Sequence, residues 1–128
     1  MFLVILGVIG LTVNNNAIKG DTEESRISYL YDLGVVGVFQ PVSCKEITIP
    51  IHFNEFYVRY NSILSEANIN LKRFCGNTAQ LFTYEYNEYY IHLIIIKGKI
   101  VGGDISEKLY GGYILPLTKN NVYEINKT

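Results

Sequence analysis

Eight consecutive residues, Tyr89 to Ile96 (YYIHLIII), constrain this chain more than any other feature. Turn signals bound this run, Asn87-Glu88 before and Lys97-Gly98 after. A short apolar run between turns reads as a strand, here the most apolar and the central one. Its sequence neighbours supply partners. Gln80 to Tyr86 alternates, with Leu81, Thr83 and Glu85 on one face and Phe82, Tyr84 and Tyr86 on the other. Lys99 to Ile105 follows a tight turn in which Gly98 is free to take a positive φ. Gly102-Gly103 inside it predicts a bulge or a close backbone approach. Cys44 to Ile49 alternates until Pro50, Val35 to Phe39 reads as a short apolar strand, and Tyr113 to Leu117 as a short edge strand ended by Pro116.

Helical spacing occurs twice. Phe53, Phe56, Tyr57, Tyr60, Ile63, Leu64 and Ala67 form one apolar stripe on a helix over 51–67. Ile27, Leu30 and Leu33 mark a shorter helix, with Glu23 and Glu24 at its start and Gly34 at its C-cap. The expected fold class is α+β: one long amphipathic helix packed on an antiparallel sheet (meander), with a short N-terminal helix. The expected organisation is an apolar export or membrane segment at 1–17, a linker at 18–25, the α+β domain at 26–117 and a polar tail at 118–128.

Composition removes several classes of function. Hydrophobic residues make up 48% and charged residues 18%, which excludes intrinsic disorder. A net charge of -1 argues against nucleic-acid binding through bulk positive charge. Two cysteines and two well-separated histidines are too few for a zinc knuckle, and no cofactor or metal is expected.

Phe2 to Val13 (FLVILGVIGLTV) carries no charge. As a helix it would span about 18 Å, the length of a signal-peptide apolar region and not of a full span. No basic residue precedes it, and Asn14-Asn15-Asn16-Ala17 makes a poor cleavage site. The run reads as an export or membrane segment, with a buried first strand or helix as the alternative. Compartment decides the thiols. In an exported chain Cys44 and Cys75 can pair, whereas a cytosolic one keeps two separate buried thiols.

No motif carries chemistry outright. Gly102-Gly103-Asp104 is the nearest to one: a Gly-rich turn beside an Asp can hold a cation or phosphate, or it can be a bulge whose Asp caps local amides. A small enzyme would use Asp104 with Glu107 or His92. His92 in its apolar run reads first as a hydrogen-bonded sheet histidine. Tyr84, Tyr86, Tyr89 and Tyr90 cluster around one turn. They are weak binding candidates if exposed, and cross-strand packing if half-buried.

A set of residues in fixed order resembles a known pattern. Ile47-Thr48-Ile49-Pro50, Phe53, Tyr57, Tyr60-Asn61, Leu71, Gly76, Thr83 to Asn87 and Gly98 to Ile105 resemble a bacterial family, the domain of unknown function numbered 4830 in its series. The resemblance covers about residues 26–115, although the family usually has Gly-Trp where this chain has Gly34-Val35. It implies a small protein of Gram-positive bacteria with an N-terminal hydrophobic segment and one extracytoplasmic domain. The family has no assigned activity, so the resemblance implies no site residue. The functional expectation is a membrane-anchored or secreted binding domain without an evident catalytic site. Its partner would be a protein, a peptide or a cell-envelope component, with possible membrane association through residues 2–13. The alternatives are a structural oligomerising subunit pairing through a sheet edge, the small enzyme, and a cytoplasmic location.

Overall fold

The computed structural model describes residues 18–109 and 111–127. The apolar segment Phe2 to Val13 lies outside the described residues. The elements are β1 (Ile18–Lys19), α1 (Glu23–Leu33), β2 (Ser43–Thr48), α2 (Glu55–Ser65), a 3-10 turn (Leu71–Phe74), β3 (Thr78–Tyr86), β4 (Tyr89–Ile96), β5 (Lys99–Glu107), β6 (Ile114–Pro116) and α3 (Lys119–Asn126). The class is α+β. One antiparallel sheet has the order β1-β5-β4-β3-β2, with β6 also on β5.

Strand β4 explains the layering. Ile91, Leu93 and Ile95 point to one face and Ile94 and Ile96 to the other, and all five are buried. Apolar surface on both faces has to be covered on both. The first face carries a cluster containing Leu30 of α1, Phe82, Tyr84, Ile105 and, from α3, Val122 and Ile125. The second carries Leu64 of α2, Leu71, Ala79, Ile94 and Ile96, with Tyr60 and Leu81 packed against them.

Arg26 ties α1 to the first face. Its guanidinium lies 3.8 Å from the centre of the Phe82 ring, donates to the Gly20 carbonyl at 2.8 Å and meets Glu23 at 3.2 Å. A buried cation needs such partners to offset its lost hydration.

The hairpins use residues able to take positive φ. Asn87 turns β3 into β4 at φ 55°, and Lys97-Gly98 turns β4 into β5 at φ 50° and 76°. In β5 the register slips between Ile94 and Ile95, leaving Val101 as an extra residue. Gly103 cannot carry a side chain, because a Cβ there would lie 2.7 Å from the His92 carbonyl.

Several expectations are corrected. Among the described residues no single long helix forms: α1 and α2 have 11 residues each. Helix α2 starts at Glu55 because the Asn54 side chain accepts from the Tyr57 amide at 2.9 Å, and it stops before the positive-φ Asn68. Residues 18–25 are not a linker. Ile18–Lys19 pairs with β5, and a Thr22–Ser25 capping box starts α1 at Glu23. Val35 to Phe39 is no strand, since Gly37 at φ 80° breaks it; Val35 and Val38 are buried, while Phe39 is exposed. The polar tail is helix α3, capped by Thr118, which accepts from the Asn121 amide at 3.1 Å.

Helix α3 therefore contributes to the core. Val122→Ala is expected to lower stability by about 1–2 kcal/mol in urea denaturation. Tyr123→Ala, at an exposed neighbour, should stay within about 0.5 kcal/mol. Equal, negligible effects would return this segment to a tail.

Candidate functional site

The bulge decides where Asp104 goes. Strict alternation from Ile100 would send Asp104 to the first face. The extra residue Val101 reverses the parity, so Asp104 faces α2. There it is almost fully buried, at 3% exposure. Its carboxylate accepts from the Tyr60 hydroxyl on α2 and, at 2.7 Å, from the Ser106 hydroxyl. The His92 Nδ1 lies 2.8 Å away, opposite Asp104 on β4. Three partners from three elements surround one buried carboxylate. Burial first, and the Asp104 charge second, hold the Tyr60 phenol well above its usual value.

This is a knot and not a nucleophile relay. A relay needs the hydroxyl bonded to the imidazole. Here hydroxyl and imidazole both bond to the carboxylate. Asp104 caps no local amides and sits within a strand instead of a turn. Glu107 does not join it, since its carboxylate accepts from the Tyr113 amide at 3.1 Å.

The four tyrosines do not form a patch. Tyr84, Tyr86 and Tyr89 are buried on the first face. The Tyr84 hydroxyl sits between Arg26 and Glu23, that of Tyr86 donates to Asn126 of α3, and that of Tyr89 meets Tyr113 at 3.2 Å. Only Tyr90 stands on the second face, half-buried, with the Lys108 ammonium 5.3 Å from its ring centre. Burial pushes the Tyr84 phenol up to about 12.

The Cys44–Cys75 disulfide does not form: both thiols are free. Cys44 stands opposite Phe82, whose side chain belongs to the first face. Cys75 lines a surface hollow with Phe53 and Val58 on the α2 side. The sheet separates them.

The sequence did not point to the cleft between β2 and α2. It measures about 150 Å³ and is lined by Ile47, Phe56, Tyr57, Tyr60, Leu81 and Ile94. An apolar cavity of roughly that size holds a benzene-sized group. Phe56 is 60% exposed at its mouth and stacks on Tyr60 at 5.9 Å. The Tyr60–Asp104 bond thus fixes one wall of the cleft.

Beside the cleft runs the outer edge of β2, which no described strand covers. The Ile49 amide donates to the Asn77 carbonyl at 2.9 Å. Antiparallel alternation then turns the peptide groups of Lys45 and Ile47 to β3 and those of Cys44, Glu46 and Thr48 outward.

No family model, curated protein or solved structure matches this chain. Among the described residues no group of His, Cys, Asp or Glu is placed to hold a metal, and no helix is long and apolar enough to cross a membrane.

Asp104→Ala leaves the Tyr60 and Ser106 hydroxyls without their acceptor and should cost about 2–4 kcal/mol. Tyr60→Phe should cost about 1–2 kcal/mol, both read by chemical denaturation. The alkaline limb tests Tyr84. Its folded pKa is raised, so its stabilisation is complete below the ordinary value of 10.0 and is lost as pH rises through about 12. Tyr84→Phe should flatten the alkaline loss of stability in that interval, measured by circular dichroism.

Proposed function

We propose that this chain is an extracytoplasmic, membrane-anchored or secreted peptide-binding domain that adds an extended segment to the outer edge of β2. The observation that carries this reading is the juxtaposition of three outward-facing peptide groups, those of Cys44, Glu46 and Thr48, with the apolar cleft beside them. Strand addition takes its affinity from main-chain hydrogen bonds and its selectivity from pockets for alternate side chains. A ligand residue opposite Ile47 lies on the α2 face and enters the cleft. The compartment rests on the apolar run Phe2 to Val13.

The partner is a foreign segment and not a second copy. Two β2 strands laid antiparallel about a twofold axis can pair five residues in two registers. One places Lys45 opposite Lys45, the other Glu46 opposite Glu46. Like charges directly opposite destabilise a pair. A segment with an apolar, a basic and an acidic residue in that order meets Ile47, Glu46 and Lys45 in turn.

The probe is acetyl-Thr-Leu-Lys-Glu-Thr-amide, titrated into the isotopically labelled chain. Amide shifts are expected in β2 and α2, and replacing the peptide's Leu by Ser should weaken binding about tenfold. Glu46→Pro removes an outward donor and leaves the β2–β3 ladder intact, so it should abolish binding with little change in melting temperature. Absence of shifts in β2 at millimolar peptide would overturn the reading.

A further inference from the structure

A second surface, separate from the β2 edge, is built of cations that make no ion pair among the described residues; the nearby Asp21, packed on Gly98, pairs with Lys19 instead. Two hollows of about 530 and 580 Å³ share Asn68, Asn70 and Arg73 as a common rim. Lys72 lines the first, and Lys97 and Lys99 the second. No Asp or Glu lines either. Local structure brings these groups together. Asn68 at φ 63° turns the chain out of α2, Asn70 starts the 3-10 turn that carries Lys72 and Arg73, and the β4–β5 turn projects Lys97 and Lys99.

The pairing of charges is uneven. Of the 11 Lys and Arg, Lys19, Arg26, Lys108 and Lys127 meet carboxylates. Among the described residues the other seven make no ion pair, and four of those seven line this furrow. In a chain of net charge -1 that is a local excess, and a cleft of one sign concentrates the opposite ion. The volumes fall in the range of small-ligand sites. Asn70 Oδ1 accepts from the Lys72 amide and from the Asn61 side-chain amide, each at 3.1 Å, so the group Asn70 can still offer a ligand is its NH2.

We propose that the furrow binds a phosphate ester of a polyhydroxyl compound. Arg73 with Lys97 and Lys99 takes the phosphate, since a guanidinium offers a paired fork and ammonium groups act as point charges. Asn68 and Asn70 take the hydroxyls. This site stands independently of peptide binding.

The test titrates sn-glycerol 3-phosphate into the isotopically labelled full chain, beside glycerol, inorganic phosphate and a single-stranded oligonucleotide. Shifts from glycerol 3-phosphate are expected at residues 68–73 and 97–99, with none from glycerol. Binding should weaken at least fivefold between about 0.05 and about 0.5 M NaCl. Arg73→Gln, at an exposed position, should weaken it about tenfold at unchanged melting temperature. No shift at about 10 mM ester, or no effect of Arg73→Gln, overturns the proposal. Equal affinity for inorganic phosphate overturns the polyol part, and tighter binding of the oligonucleotide would make the furrow a nucleic-acid surface instead.

Discussion

A strand that is apolar on both sides cannot leave either side in water. That constraint, set by Ile91, Leu93 and Ile95 on one face of β4 and by Ile94 and Ile96 on the other, organises the molecule. It requires cover above and below the sheet. Helix α2 with the 3-10 turn supplies one cover. Helices α1 and α3 share the other, α1 through Leu30 and α3 through Val122 and Ile125. The three buried tyrosines follow from the same demand. Their rings fill the first face, and each hydroxyl finds a partner at the rim where a helix or loop crosses it.

The buried carboxylate is the second organising interaction. An isolated charge in the interior is strongly unfavourable, so Asp104 persists only because Tyr60, Ser106 and His92 surround it. The knot has a geometric consequence. Tyr60 both bonds to Asp104 and forms a wall of the cleft, so polar pairing inside the sheet sets the position of an apolar surface outside it. Helix α2 is held by two such polar contacts. Tyr60 bonds to Asp104, and Asn61 accepts from the Leu71 amide at 2.7 Å, joining α2 to the 3-10 turn.

The two margins of the sheet differ. β1 and β6 cover the outer side of β5, while no described strand covers the outer edge of β2 beside its cleft. Lys45 and Glu46 on that open strand disfavour pairing of two copies and still allow a complementary segment. The furrow of Lys72, Arg73, Lys97 and Lys99 lies instead on turns. Rigid strands and helices hold these loops in place, which is the usual division between scaffold and binding groups.

Local pattern was enough for what depends on neighbours in sequence. Strand β4, its two flanking turns and the alternation of β3 were all readable, because side-chain period and turn chemistry act over a few residues. Parity even placed Tyr84 and Tyr86 on one face, without saying whether that face was wet. Helix α3 was hidden because Val122 and Ile125 are too few to make a stripe; they matter only once Leu30 and Tyr86 lie beneath them. His92 was legible as a neighbour of Asp104, but Tyr60 was hidden because one extra residue, Val101, reverses the face of everything after it. The separation of Cys44 from Cys75 likewise depends on which side of the sheet each occupies. Sequence alone determined the elements and their turns. Tertiary structure decided burial, facing and partnership, because those depend on residues distant in the chain whose approach no local period records.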